Sequence, residues 1–248
     1  MRSILFKTLI LSGMVALGAC GKESATLETT RPEEYFNLQP GKYIIYQLDS
    51  TVRKEGSNTD FIVRSYQAKD EVDQEVMDNL GRKSWRIFRY IRSLNSTNEA
   101  DWKPLATYLV TPNFEDVEVI DNNQRYIKLI APVVEGKTWF GNRHINTTLG
   151  TELDYLDEWE YQYQDIGASF TPLNTPVDNT ISILQADETD GAPENPNAYS
   201  ARTYSKEVYG WGIGMIYKEL LTWETQLNND NRYVRTGFGI KLRMISHN

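Results

Sequence analysis

The sequence predicts a mainly β fold with little helix: antiparallel strands in a curved open barrel or a two-layer sandwich. Three observations predict it. Ten to twelve short runs alternate apolar and polar residues with period two, and turn signals separate them. Aromatic residues make up 12% of the 248-residue chain, led by 15 tyrosines, and broad rings suit a half-buried pleated surface. No βαβ rhythm is present, so a parallel sheet is excluded.

Lys42 to Leu48 follows the Pro40-Gly41 turn signal, and Phe61 to Gln67 is the second run. Asp70 to Asn79 offers a thin helical stripe of Val72, Val76 and Met77 and reads as a short helix. Trp85 to Ser93 has two mixed faces, with Arg86 and Arg92 on one and Arg89 on the other. Ala106 to Thr111, Val117 to Ile120 and Tyr126 to Ala131 are shorter strands, the last closed by Pro132. Tyr155 to Gln164 alternates most cleanly. Tyr155, Trp159, Tyr161 and Tyr163 point one way, with Asp157 as the exception among them, and Glu158, Glu160, Gln162 and Gln164 point the other. A helix would scatter these groups around its axis, so the segment reads as a strand. Ile181 to Leu184, Thr203 to Val208, Met215 to Thr225 and Ile240 to Ile245 complete the set. In the last, Ile240, Leu242 and Met244 face inward. Residues 185–199, acidic and then interrupted by Gly191, Pro193 and Pro196, read as a long mobile loop.

Ahead of the strands, Arg2 and Lys7 precede an apolar stretch from Thr8 to Leu17. It is half the roughly 20 residues a membrane-spanning helix needs, so residues 1–19 read as a signal peptide. Leu17-Gly18-Ala19-Cys20 then resembles the lipobox of bacterial lipoproteins, in which the thiol takes a diacylglycerol and becomes the mature N-terminus. The resemblance implies lipidation of Cys20 and attachment to a bilayer, since two acyl chains suffice for stable anchoring. Gly21, where an aspartate would resemble an inner-membrane retention signal, implies the outer membrane. Lys22-Glu23 resembles the surface-export signal of some Bacteroidota lipoproteins, and the membrane face stays undecided. Residues 20–34 read as a flexible tether and residues 35–248 as one all-β domain.

Removing the leader deepens the formal charge of −8 by a further two units. An acidic body of this kind repels phosphate backbones, and no Lys/Arg cluster breaks the trend, so nucleic acid is not an expected partner. Acylated Cys20 is the chain's single cysteine, which leaves no disulfide or thiolate metal site.

Chemistry-bearing patterns are few. His144 and His247 are the two histidines, too few for a triad or a histidine-ligated metal site, and His144 reads as a turn residue. Gly210-Trp211-Gly212-Ile213-Gly214 lacks the following helix a phosphate loop requires, so it reads as a turn that lets Trp211 pack. Asp154, Asp157, Glu158 and Glu160 have no calcium-loop spacing and read as a solvated acidic face. No catalytic residue, metal or cofactor is expected, although a facing pair of carboxylates is unreadable from sequence. Trp159, Tyr161, Tyr163 and Trp211 are the candidate ligand contacts: as core they fill the space between layers, and as a concave lining they stack on sugar rings or hold an acyl chain. Arg86, Arg89 and Arg92 are candidates for a head-group contact.

The segment Tyr35-Phe36-Asn37-Leu38-Gln39-Pro40-Gly41-Lys42-Tyr43-Ile44-Ile45-Tyr46-Gln47-Leu48-Asp49-Ser50 resembles the opening of uncharacterised outer-membrane lipoproteins of Bacteroidota. So do Gly136 to Trp139 with Gly141-Asn142, and Tyr209 to Tyr217. The resemblance rests on structural residues and implies no activity. Asp49-Ser50-Thr51 is also similar to a short O-glycosylation site of that phylum. The expected function is a non-catalytic, membrane-anchored envelope lipoprotein binding an amphiphilic ligand or a partner envelope protein. The alternative is a cell-surface glycan-binding accessory module.

Overall fold

A computed structural model describes residues 30–248; Cys20 and the leader lie outside the described residues. Twelve strands are present among the described residues: β1 (Tyr43–Arg53), β2 (Phe61–Met77), β3 (Lys83–Ser93), β4 (Lys103–Pro112), β5 (Asp116–Asp121), β6 (Gln124–Ile130), β7 (Thr138–Phe140), β8 (Glu160–Phe170), β9 (Val177–Gly191), β10 (Ser200–Gly210), β11 (Gly214–Leu227) and β12 (Tyr233–His247). They form a single antiparallel sheet in the order β6-β5-β4-β3-β2-β1-β12-β11-β10-β9-β8-β7, curved into a nearly closed barrel. The mainly β expectation is met, and the barrel is the alternative realised.

Strands adjacent in sequence are neighbours in space, except that β1 pairs with β12 and β6 and β7 are the two edges. An open edge exposes unpaired N–H and C=O groups, and here the two edges meet at a seam. The Ile127 N–H donates to the Gly141 carbonyl at 2.8 Å. The Trp139 indole N–H donates to the Ile127 carbonyl at 2.9 Å. The Tyr163 hydroxyl accepts from the Ile130 N–H at 2.7 Å and donates to the Ile130 carbonyl at 2.8 Å. Side chains thus satisfy backbone groups that a longer β7 would have paired. Gly141 is required at this corner because a Cβ there would lie 2.3 Å from the Tyr161 ring.

Four local expectations differ from the structure. Residues 70–77 continue β2 instead of forming a helix, because Asp70 and Val72 lie buried on a sheet face. Residues 154–156 form a 3₁₀ turn and Glu158 has φ +56°, so the strand begins at Glu160 and not at Tyr155. Residues 185–191 belong to β9, where Asp187, Glu188 and Asp190 pair in register with Tyr204, Thr203 and Ala201. The acids tolerate this because their side chains reach solvent, and Asp187 meets Arg202 at 2.6 Å; only residues 192–199 remain as connecting loop. The folded body also starts before residue 35, with a 3₁₀ turn at Pro32–Tyr35 in which Pro32 and Tyr35 are buried.

That N-terminal turn closes one end of the barrel. Tyr35 meets Trp211 edge-on at 5.3 Å, Phe36 packs on Tyr209 at 5.3 Å, and the Gly212 N–H donates to the Glu34 carbonyl. Gly210 to Gly214 is the β10–β11 turn, with positive φ at Gly212 and Gly214. Tyr155, Leu156 and Trp159 fold across the interior from the β7–β8 connection, and Tyr155 packs edge-on against Phe238 of β12.

Candidate functional site

Between these closures the barrel holds a cavity of about 160 Å³. Val72, Ile87, Val110, Leu156, Trp159 and Tyr161 contribute to an apolar and aromatic lining. Among the other lining residues are two charged clusters.

The first cluster spans β1 to β4. Arg89 donates to both oxygens of Asp70, at 2.6 Å each, and the Tyr108 hydroxyl donates to Asp70 at 3.0 Å. Register places Asp70 opposite Arg89 on neighbouring strands, so the fork reaches its carboxylate directly. Beside it the Tyr46 hydroxyl donates to the Met215 carbonyl at 2.7 Å. Burial pushes the Tyr46 and Tyr108 phenols well above their usual range, and Asp70 adds to both shifts.

The second cluster centres on Glu207 of β10, 1% exposed. Lys128 reaches it from β6 at 2.7 Å, Lys218 from the paired position on β11 at 3.3 Å, and the Tyr209 hydroxyl donates at 2.9 Å. Burial alone would raise the Glu207 carboxyl. The two ammoniums, with hydrogen bonds from Lys128 and Tyr209, outweigh that and hold it at about 2. Burial pulls the Lys128 ammonium down against the pull of Glu207. Two positions along β10 sits Ser205, whose hydroxyl donates to Gln185 Oε1 of β9 at 2.7 Å. Gln185 is 3% exposed and lines the cavity, yet its Nε2 has no hydrogen-bond partner.

Lys128 and Gln185 share a backbone cause. On β6, Leu129 pairs with Val117 and Ile127 with Glu118, leaving Lys128 as the extra residue of a β-bulge. On β9, Ala186 pairs with Ser205 and Leu184 with Lys206, leaving Gln185 as the extra residue. Bulges re-aim side chains that a regular pleat would send elsewhere; Ile127, Lys128 and Leu129 are accordingly all buried.

The sequence-predicted contacts separate. Trp159 and Tyr161 line the cavity, and Tyr161 is fixed by donating to Asn142 Oδ1 at 2.8 Å. Tyr163 is spent in the seam, and Trp211 sits outside on the β10–β11 turn, 40% exposed. Of the three arginines only Arg89 enters the interior. Arg86 pairs with Asp73, and Arg92 lies over the Trp102 ring at 4.1 Å. The acids near β8 have separate local partners: Gly150 N–H for Asp154, Thr147 for Asp157 and Thr138 for Glu160. His144 is an exposed residue of the turn after β7. Ser50 lies mid-strand in β1, paired on both sides, and the Asp49 carboxylate is engaged by Ser65, Gln47 and Arg243.

Missed from sequence were Asp70, Tyr108, Lys128, Gln185, Ser205, Glu207 and Lys218. Ser205, Glu207 and Tyr209 did alternate with Tyr204, Lys206 and Val208 along one strand, but both faces are polar enough to pass for solvent. Lys128 stands alone between Ile127 and Leu129, a signal that a bulge explains only once the pairing is known. No protein-family model matches the chain, and a search of curated proteins returns no match.

Proposed function

We propose that this chain is a non-catalytic, lipid-anchored protein of the outer membrane whose barrel holds a small amphiphilic molecule. The observation that carries the reading is the interior cavity of about 160 Å³, whose lining combines aromatic rings and aliphatic side chains with buried polar groups. A dry cavity of about 150 Å³ takes a benzene-sized guest. The space therefore suits a polar head with a short apolar portion, and it is too small for a whole diacyl lipid. Binding sites of this kind pair apolar walls with a few placed polar groups.

The chemistry on the walls favours holding over reacting. Glu207, held ionised by its lysines, is a poor general acid at neutral pH. Asp70 is occupied by Arg89 and Tyr108. Support for a surface glycan platform is weaker, because Trp159 is 4% exposed and faces inward, and Trp211 already uses one side against Tyr35. The anchor is carried by the lipobox-like Leu17-Gly18-Ala19-Cys20.

Native mass spectrometry of protein purified from membranes without denaturation tests the cargo. A bound small amphiphile, released into organic solvent, is the expected result; a mass equal to the bare acylated polypeptide in every preparation contradicts it. Metabolic labelling with a radioactive fatty acid tests the anchor. Label is expected on the wild type and absent from Cys20→Ser, and an unlabelled wild type contradicts lipidation.

A further inference from the structure

Unused hydrogen-bond donors remain inside the barrel. Glu207 already receives Lys128, Lys218 and Tyr209, and Asp70 receives Arg89 and Tyr108. The phenols of Tyr46, Tyr108, Tyr161 and Tyr209 have each committed their proton. By contrast Gln185 carries two amide protons on Nε2 with no acceptor. Lys128 carries three, of which one goes to Glu207 while its ammonium also lies 4.7 Å from the centre of the Tyr126 ring. A buried donor without a partner is costly, so a native protein that keeps one at a cavity wall has a reason to keep it.

Gln185 is also held for the purpose. Ser205 fixes its carbonyl oxygen at 2.7 Å, which sets the amide orientation and leaves the NH₂ side of this cavity-lining residue without a protein acceptor. Ser205 and Glu207 are alternate residues on β10, about 7 Å apart along the strand, so the amide and the lysine pair flank one stretch of wall. Lys128 and Lys218 share one buried carboxylate, Arg89 and Asp70 cancel, and Asp121 stands at the partly exposed end of β5. Across the barrel from β9 and β10 lie Ile87 of β3 and Val110 of β4, while the Tyr161 ring stands on β8 beside β9 and Trp159 just ahead of it.

We infer that Gln185 Nε2 and Lys128 Nζ form the head-group subsite of the cavity and take the carboxylate of a small amphiphile, such as a medium-chain or aromatic acid. This rests on the cavity-binding reading above and adds the chemistry of the ligand's polar end. The carboxylate would accept from the amide and from a spare ammonium proton, and its apolar part would lie against Trp159 and Tyr161.

Octanoate and octanol share a tail and differ in the head, so calorimetric titration of both into the full-length protein separates the two claims. Octanoate is expected to bind at least about tenfold more tightly than octanol, the usual worth of a hydrogen bond to a charged group. In Gln185→Met that preference falls by about tenfold with octanol unchanged, and in Gln185→Glu, which keeps the shape and reverses the head, octanoate binding is lost. In the wild type itself, the side-chain ¹⁵N resonance of Gln185 shifts with octanoate and not with octanol, a readout independent of how the variants fold. Equal affinity for the two probes, or a preference that survives in Gln185→Met, overturns the subsite and leaves the cavity reading standing. Binding of neither overturns both.

Discussion

The two charge clusters that line the cavity look alike in composition and differ in completion. Around Asp70, a two-point guanidinium fork and a phenol use the carboxylate fully, and every partner comes from adjacent strands β2, β3 and β4. Around Glu207, the partners come from β6, β10 and β11, and the neighbouring Gln185 amide nitrogen is left without a partner. A closed cluster specifies the fold, because its geometry follows from register. An open one leaves a valence for something that is not protein. The placement of Lys128 and Gln185 on bulges fits this division, since a bulge gives up ladder hydrogen bonds to aim a side chain.

Removing one partner separates the clusters most sharply. Glu207→Ala strands the Lys128 ammonium in the interior and is expected to lower stability by about 3–5 kcal/mol. Replacing the pair together, as Lys128→Met with Glu207→Leu, should recover most of that loss, because apolar groups of similar volume often stabilise as well as a buried pair. Urea unfolding measures both; a double variant no better than the single would show that the pair is not coupled. Asp70→Asn keeps an acceptor for Arg89 but loses its charge, and about 2 kcal/mol is expected in the same assay.

Acid gives a graded version of the comparison. The Glu207 carboxyl is held near 2 against an ordinary value of 4.5. A group depressed by folding contributes stability that is complete above the unfolded value and is lost as pH falls through the folded one. Asp49 and Glu118 are held down in the same direction, Asp49 by Ser65, Gln47 and Arg243 and Glu118 by Arg82 and Arg125. Unfolding free energy should therefore be flat towards neutral pH and fall from about pH 4.5 towards 2. Glu207→Gln should flatten part of that fall; an unchanged slope would remove Glu207 from the account.

The seam supplies a smaller effect. Trp139→Phe removes the indole N–H from the Ile127 carbonyl, at about 1 kcal/mol. Hydrogen exchange should quicken in β6 before it does in β1, which is paired with β2 on one side and β12 on the other. Uniform quickening would mean that the seam opens only with the whole barrel. Trp211→Ala, which removes an exposed ring touching Tyr35 edge-on, should change stability by under about 1 kcal/mol.

Much of the fold was legible because period-two alternation survives in strands with one wet and one dry face. Ile240 to Ile245 falls within β12, and Lys42 to Leu48 falls within β1 but for its first residue. Legibility failed where tertiary pairing overrode local character. Val72, Val76 and Met77 have helical spacing yet extend β2, and the acids of residues 187–190 sit in a ladder that tolerates them at its solvent-facing end. For the site, Trp159 and Tyr161 stood out because rings on alternate positions are conspicuous. Tyr163 carried the same signal and went to the seam, because only three-dimensional proximity distinguishes a wall from a joint. Glu207 and Gln185 were hidden because polar residues on a strand face are indistinguishable from a solvated surface until the sheet curls and makes that face its interior.

The central claim is that the barrel interior is a ligand site lined by the rings of Trp159 and Tyr161 together with Gln185 and Lys128. Nuclear Overhauser contacts between ¹³C-labelled octanoate and the protein test it most directly. Tail protons are expected to contact the rings of Trp159 and Tyr161 and to show none with Tyr163 or Trp211. Contacts to Trp211, or none to either cavity ring with octanoate at saturating concentration, would contradict it.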